Sequence, residues 1–229
     1  MPDNSQSYQK TISFWDQVFG NLPDFDPAQP LPHSGLEEAL TWLGENEPRV
    51  LDFGCGPARP LLRAHYHGVR GGVGMDISLG AVNKATAIAR THGLDHNFEF
   101  IQGGIPELKK FKDGSWGGFI LFNILDNLLP EHGRMLIEEV HRLLTPGGRL
   151  LLLNGPYLTE ELQEKEMKDA IPLEKNLFLD ENGLYFWNLS TGEIKNLLEP
   201  GLEVISEKEI IREEGQPGSR LFYGEKSKD

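Results

Sequence analysis

The residues Arg49 to Arg63, RVLDFGCGPARPLLR, decide the fold of this chain. Apolar side chains over residues 50–53 predict a short buried strand, and residues 58–67 have the spacing of a helix. Gly54 and Gly56 lie between the two; without a Cβ they can adopt positive φ and let a ligand approach the backbone closely. A strand, a glycine turn and a helix predict a βαβ unit whose helix N-terminus faces a ligand.

A carboxylate follows this turn at the spacing expected for a ribose-binding residue. Residues 69–76, VRGGVGMD, predict a second strand that ends in Asp76, about twenty residues beyond the glycines. An acidic side chain there can accept hydrogen bonds from both ribose hydroxyls. A nicotinamide fingerprint requires a small residue three positions after Gly56, and Arg59 stands there instead, which disfavours a nicotinamide enzyme.

The sequence Asp52-Phe53-Gly54-Cys55-Gly56 resembles motif I of the class I S-adenosylmethionine-dependent methyltransferases, whose turn usually reads D-x-G-C-G. The resemblance implies a Rossmann-like fold, S-adenosylmethionine as cofactor and S-adenosylhomocysteine as product. It also implies a set of cofactor-binding residues, namely Asp52, Gly54, Cys55 and Gly56 beside the methionine part, Asp76 on the ribose and Ile77 against the adenine ring.

Each of these residues also has an interpretation in which it serves the fold and not a cofactor. The glycines could form an ordinary βα turn, and Asp52 could be a buried carboxylate that caps it. Asp76 could be the N-cap of the next helix, and Ile77 could belong to the core. Cys55 has no histidine placed by sequence to activate it, so a small turn residue is a better interpretation than a nucleophile.

Two later turns are the remaining candidates for the cofactor pocket. The family often has an aspartate after the third strand that binds the adenine amino group, and Gly104 stands at that position here, followed by Ile105. Backbone groups can serve instead, and we expect adenine selectivity to be weaker or to depend on another group. Asn123 and Ile124 follow the fourth strand, where a backbone carbonyl in the family accepts a hydrogen bond from the cofactor amino group.

Strands and helices alternate five times along the chain, which predicts an α/β fold with a largely parallel, doubly wound sheet. Residues 202–211 and 219–226 predict two more strands joined by a turn and therefore antiparallel. The resemblance implies seven strands in the order 3-2-1-4-5-7-6, with an antiparallel last strand and helices on both faces. We expect a single methyltransferase domain over residues 1–229, with an N-terminal helical cover at 1–46 and a small lid insertion at 156–200.

No catalytic residue can be assigned from the sequence. Small-molecule methyltransferases often have L-x-H-L or L-H-H-L after the fourth strand, and this chain has Leu125-Asp126-Asn127-Leu128, so the simplest general base is missing. Asp126 is either a substrate contact or a helix N-cap. The aromatic candidates for the acceptor pocket are Tyr8, Trp15, Tyr157, Tyr185 and Trp187. An aromatic face suits a sulfonium, but Trp15 could equally pack on the sheet edge, and the later aromatics could form a small core beneath a hairpin at Asn182-Gly183.

Charge and composition narrow the possible partners. The chain of 229 residues has a formal net charge of −13, which disfavours a nucleic-acid substrate because an acidic surface repels phosphates. The single cysteine excludes an internal disulfide, and the scattered histidines do not suggest a metal site. Neither a membrane span nor a signal peptide is indicated, so we expect a cytoplasmic monomer or homodimer.

The function predicted from these features is methyl transfer from S-adenosylmethionine to a small-molecule N, O, S or C nucleophile by in-line displacement. Because the sulfonium is already activated, positioning can supply most of the rate and a general base is optional. The alternatives are a protein or nucleic-acid methyltransferase and a non-catalytic S-adenosylmethionine-binding protein of the same fold.

Overall fold

The computed structural model describes residues 8–211 and 217–228. The described residues form two β-sheets. The strands are β1 (Arg49–Phe53), β2 (Gly71–Asp76), β3 (Phe98–Gln102), β4 (Trp116–Phe122), β5 (Leu144–Asn154), β6 (Ile171–Glu174), β7 (Leu177–Leu179), β8 (Tyr185–Trp187), β9 (Leu202–Ile210) and β10 (Ser219–Lys226).

The larger sheet has seven strands in the order β3-β2-β1-β4-β5-β10-β9. The pairs from β3 to β5 are parallel, and β10 lies antiparallel to both β5 and β9. With β9 and β10 as the sixth and seventh strands of this sheet, the predicted order 3-2-1-4-5-7-6 is confirmed.

Helices cover both faces of the sheet. The helices are α1 (Gln9–Asn21), α2 (Ser34–Gly44), α3 (Arg59–Ala64), α4 (Leu79–Thr91), α5 (Ile105–Leu108), α6 (Pro130–Leu143), α7 (Glu160–Glu166) and α8 (Thr191–Leu198). Helices α2, α3 and α4 contribute to the core on one face, and α5, α6 and α8 to the core on the other. Successive residues of β4 alternate between these cores, with Phe119 and Leu121 on one face and Ile120 on the other, which explains why its sequence is continuously apolar.

The segment between β5 and β9 contains α7 and the smaller sheet, in the order β6-β7-β8. The predicted hairpin is confirmed: β7 and β8 pair antiparallel, and Gly183 in their turn has φ +81°. Strand β6 was not predicted, because its sequence IPLE is exposed along its whole length and carries no apolar alternation. The helix predicted at 157–169 is shorter, since α7 begins after its N-cap, Thr159.

Three smaller differences from the sequence prediction lie elsewhere. Helix α5 was predicted as part of a turn. The predicted start of α1 at Ser7 and the first half of the turn predicted at 215–218 lie outside the described residues. None of the helices in the described ranges combines the length and the apolar character that crossing a bilayer requires.

Candidate cofactor and acceptor site

The glycine turn after β1 has a left-handed backbone that favours glycine. Gly54 has φ +69° and Gly56 has φ +54°. The amides of Gly54 and Cys55 both donate to the Met75 carbonyl, at 2.7 and 3.1 Å, which fastens the turn to the end of β2. A Cβ on Gly54 would lie 2.0 Å from Cδ1 of Ile124. The turn is therefore a cradle that a side chain would fill.

Asp76 lies beside this turn at the end of β2 and is buried. Its Oδ2 accepts from the Gly56 amide at 2.8 Å, and its Oδ1 accepts from the Ser78 amide at 2.8 Å. The N-cap of α4 is Ser78, not Asp76. A carboxylate has about four lone-pair sites, so each oxygen of Asp76 keeps a site for a ribose hydroxyl.

Asp52 supplies a buried carboxylate oxygen that lacks a partner. Its Oδ2 has no hydrogen bond within the described residues. Burial raises the pKa of Asp52 well above its ordinary value, and the charge of Asp76 raises it further. Burial likewise raises the pKa of Asp76, against its backbone hydrogen bonds. An unsatisfied buried acceptor requires an explanation, and the cationic amino group of S-adenosylmethionine fits it.

The thiol of Cys55 does not face a ligand. It is buried, and its Sγ donates to the Gly56 carbonyl at 3.3 Å. Burial raises the pKa of Cys55 well above its ordinary value, which removes thiolate character. This residue can therefore contact a cofactor only through its backbone.

The residues predicted for the adenine side are neighbours. A Cβ on Gly104 would have Cγ2 of Ile77 as its nearest neighbour, at 3.7 Å, so the position has room for a side chain. The Gly104 amide donates to Oε2 of Glu107 at 2.9 Å. The carboxylate of Glu107, which was not predicted as a site residue, therefore caps the start of α5, and position 104 itself has no acceptor side chain. The side chain of Ile105 lies in the core.

Asn123 and Ile124 close the turn from the β4 side. Asn123 is in the left-handed region at φ +56°, its amide donates to the Leu153 carbonyl at 2.7 Å, and its carbonyl accepts from Nδ2 of Asn127 at 2.9 Å. The Ile124 side chain covers Gly54. Ile124 thus lies directly against the turn, and the role of both residues in binding the cofactor stays a prediction.

Helix α1 lies over the same turn. The Phe19 ring is 3.2 Å from the position that a Cβ on Gly56 would take, and Trp15 stacks on Phe19 with ring centroids 5.1 Å apart. Asp16 accepts from the Ser78 hydroxyl at 2.6 Å and from the Gly80 amide at 2.9 Å. The contacts of Asp16 and Phe19 were missed, because a helical spacing does not reveal which partner a helix covers.

Tyr8 lies at the other end of α1 among polar and aromatic groups. Its hydroxyl accepts from the Leu129 amide at 3.2 Å and lies 2.8 Å from Nδ1 of His132. Tyr185 contacts Tyr8 edge-on at 5.5 Å, and burial raises the pKa of both tyrosines. His132 was missed because it lies in α6, outside the L-x-H-L position.

The remaining acceptor candidates lie in different surroundings. Asp126 is buried, and its oxygens accept from the Gly155 amide at 2.9 Å and from Asn127 at 3.1 Å. The N-cap of α6 is Leu129, so Asp126 does not cap that helix. Tyr157 is exposed. Trp187 packs in the core against Gly133, where a Cβ would lie 2.6 Å from the indole, which supports the small core beneath the hairpin.

A family model described as "Methyltransferase domain" matches residues 45–201. With the sheet order and the glycine turn, this match shows that the chain belongs to the class I S-adenosylmethionine-dependent methyltransferase family.

Two curated relatives and one solved structure illustrate the similarity. The 24-methylenesterol C-methyltransferase 2 of Oryza sativa is 30% identical over 148 residues, which are 59% of this chain and 40% of that protein. Ribosomal protein L11 methyltransferase of Neisseria meningitidis is 31% identical over 137 residues, 58% of this chain and 41% of that protein. The chain thus spans less than half the length of these relatives.

The solved structure is 1,6-didemethyltoxoflavin-N1-methyltransferase of Burkholderia thailandensis with bound 1,6-didemethyltoxoflavin and S-adenosylhomocysteine. It superposes with a TM-score of 0.72 at 14% identity, covering 99% of this chain and 92% of that chain. At this identity the likeness shows the fold alone.

The buried charge of Asp52 predicts a pH-dependent gain in stability for Asp52→Asn. The raised pKa means that the carboxyl contributes stability below its unfolded pKa, and that this contribution is lost as the pH rises through the folded pKa. We expect Asp52→Asn to raise the free energy of unfolding by about 0.5–2 kcal/mol at pH 7. The gain should shrink towards zero near pH 4.

Denaturant unfolding across this pH range measures the effect, with exposed Asp95→Asn as the matched control. The same Asp52 variant should bind S-adenosylhomocysteine about tenfold or more weakly, because a charge-assisted hydrogen bond is lost. A stability difference that does not change with pH would contradict the role given to the buried charge.

The room at Gly104 predicts that an introduced carboxylate strengthens cofactor binding. The backbone φ of −127° is open to any residue, so Gly104→Asp adds the missing acceptor without strain. We expect S-adenosylhomocysteine to bind about three- to tenfold more tightly by calorimetry, the value of one hydrogen bond. Gly104→Ala is the control for the added side-chain volume, and we expect it to change the affinity for S-adenosylhomocysteine little. Unchanged or weaker binding to the aspartate variant would show that no adenine contact is missing.

Proposed function

We propose that this domain transfers a methyl group from S-adenosylmethionine to a small-molecule N, O, S or C nucleophile. The observation that carries the proposal is the cover that α1 forms over the carboxyl ends of the strands. Phe19 lies on the glycine turn at one end of α1, and the Thr11 hydroxyl donates to the Gly183 carbonyl of the β7–β8 turn at 2.6 Å. A helix and a hairpin joined over the carboxyl ends of the strands would enclose a small acceptor, which supports the proposal.

The residues that would hold the cofactor follow from the turn geometry. Asp52 would accept from its amino group, and Asp76 would accept from its ribose hydroxyls. The glycine backbone would lie along the methionine part, and Ile77 would pack on the adenine ring. When bound, the cofactor supplies a methyl group already activated by a sulfonium.

The chain's contribution to the transfer is then mainly positional. Holding the acceptor lone pair in line with the methyl group provides most of the rate, and an enclosed site excludes water. Asp126 and the aromatic rings of Tyr8 and Tyr185 are the acceptor-side contacts we propose. The Tyr8–His132 hydrogen bond would hold the Tyr8 ring in place over that pocket.

The alternatives are a protein or nucleic-acid acceptor and a non-catalytic S-adenosylmethionine-binding role. The names of the relatives include both a sterol and a ribosomal protein. Similarity to these relatives therefore does not distinguish a small-molecule acceptor from a protein acceptor. The net charge of −13 argues against a nucleic-acid acceptor, and the closed cover favours a small molecule over a protein.

The test is a methyl-transfer assay with S-adenosylmethionine labelled on the methyl group and a cell extract divided by ultrafiltration into small molecules and macromolecules. We expect protein-dependent label in the small-molecule fraction, and none in protein or RNA after digestion controls. Asp76→Ala serves as the control for cofactor dependence and should remove the signal.

Each other outcome selects an alternative. Label in protein or RNA would contradict a small-molecule acceptor and favour a macromolecular one. S-Adenosylhomocysteine binding without transfer to either fraction would favour the non-catalytic role.

A further inference from the structure

A buried cation without an ion pair lies at the acceptor side of the sheet. Arg220, on β10, has 8% of its surface exposed. Its Nε and Nη2 both donate to the Gly155 carbonyl, at 3.2 and 2.9 Å, and its Nη1 is buried with no hydrogen-bond partner. Over residues 8–211 and 217–228, no carboxylate forms an ion pair with this guanidinium. Arginine is almost never buried unless it is paired, so a partner for Nη1 is expected.

A second unsatisfied polar group faces Arg220 across the strand pair. Asn154 is the last residue of β5 and is directly opposite Arg220 in the β5–β10 register. It is 1% exposed, and its Oδ1 is buried with no hydrogen-bond partner. Residues directly opposite in an antiparallel pair project to the same face with Cβ atoms about 4.5–5.5 Å apart. The side chains of Arg220 and Asn154 therefore leave the backbone next to each other on one face of the sheet, and each has an atom without a hydrogen-bond partner among the described residues.

Arg220 is connected through a single residue to Asp126, one of the acceptor-side contacts proposed above. Gly155 links Arg220 to Asp126, because its carbonyl accepts from the guanidinium and its amide donates to Asp126 at 2.9 Å. Both carboxylate oxygens of Asp126 already accept hydrogen bonds. Asp126 therefore offsets the charge of Arg220 only from a distance and makes no hydrogen bond with Nη1. Burial lowers the pKa of Arg220, although the charges of Asp126, Glu207 and Glu193 act to raise it. The neighbouring carboxylates therefore do not fully offset the cost of burying this cation.

We propose that Arg220 and Asn154 form a subsite that binds a carboxylate group of the methyl acceptor. This inference rests on the proposed function and names the class of acceptor. A guanidinium whose Nη1 is free gives a charge-assisted hydrogen bond to one carboxylate oxygen. The Asn154 amide, turned about its χ2 bond, presents Nδ2 to the other oxygen. Arg220 supplies a single positive charge at the site, so a monoanion suits it better than a phosphate dianion.

The competing explanation is a buried water that satisfies both side chains. If a water fills the site, anionic and neutral solutes should have the same effect on it. A carboxylate subsite, in contrast, should respond to the anion alone. Acetate, acetamide and inorganic phosphate are therefore suitable probes, since acetate and acetamide have nearly the same shape and differ in charge.

The experiment follows the Nε–H signal of Arg220 by ¹H–¹⁵N NMR in the full chain, with assignment by Arg220→Lys. Each probe is titrated with and without S-adenosylhomocysteine. We expect acetate to shift this signal with saturation at or below about 100 mM, the strength of a weak single contact. Acetamide should leave the signal in place, and phosphate should bind at least about tenfold more weakly than acetate.

Asn154→Asp is the decisive variant, because it places a carboxylate inside the subsite. It should abolish the acetate-induced shift and raise the midpoint of thermal unfolding, since the introduced carboxylate pairs with the buried cation. Asn196→Asp, at an exposed position on α8, makes the same change in net charge and should alter neither property.

The proposal is wrong if acetate causes no saturable shift, if acetamide shifts the signal equally, or if Asn154→Asp still responds to acetate. The first of these results would leave an ordered water as the partner of Nη1. Failure of the proposed function is seen separately, because the methyl-transfer assay would then place no label in the small-molecule fraction, whatever the response to acetate.

Discussion

The hydrogen bond from the Gly56 amide to the Asp76 carboxylate, 2.8 Å long, joins the two strands on which the site depends. It fixes the glycine turn against the end of β2, while the other oxygen of Asp76 fixes the start of the segment leading to α4. The turn can take this path only because Gly54 and Gly56 adopt positive φ. The same contact therefore sets both the backbone of the glycine turn and the position of the Asp76 carboxylate.

This arrangement costs stability in the protein alone. Asp52 and Asp76 are buried close together, burial raises the pKa of each, and the charge of Asp76 raises that of Asp52 further. Two buried carboxylates without a cation between them are unfavourable. The amino group of a bound cofactor would relieve the penalty at Asp52. We infer that these two carboxylates are placed to bind a ligand, at a cost in the stability of the protein alone.

Much of the fold could be predicted because its determinants are local. The strand–turn–helix at Asp52 to Gly56, the carboxylate at the end of β2 and the hairpin at Gly183 each depend on a few neighbouring residues. The order of the strands followed from the family resemblance. Strand β6 and helix α5 were missed because they are too short to show a period.

The contacts that complete the site were not predictable, because each joins residues far apart in the chain. Asp16 meets Ser78, Tyr8 meets His132, and Arg220 faces Asn154, with separations of 62, 124 and about 66 residues. The packing of α1 over α4 brings Asp16 to Ser78, and the contact of Tyr8 with the start of α6 brings it to His132. The antiparallel pairing of β10 with β5 places Arg220 opposite Asn154. Contacts of this kind leave no local signal in the sequence, whereas the glycine turn and the carboxylate at the end of β2 do.

The central claim is that the glycine turn and Asp76 bind S-adenosylmethionine. Calorimetric titration of the wild-type chain and of Asp76→Ala with S-adenosylhomocysteine, beside NADH, tests it most directly. We expect micromolar binding of the thioether to wild type, roughly −8 kcal/mol at 1 μM, a loss of about tenfold or more in Asp76→Ala, and no binding of NADH. Binding of NADH without S-adenosylhomocysteine, or equal binding of S-adenosylhomocysteine to the variant, would contradict the claim.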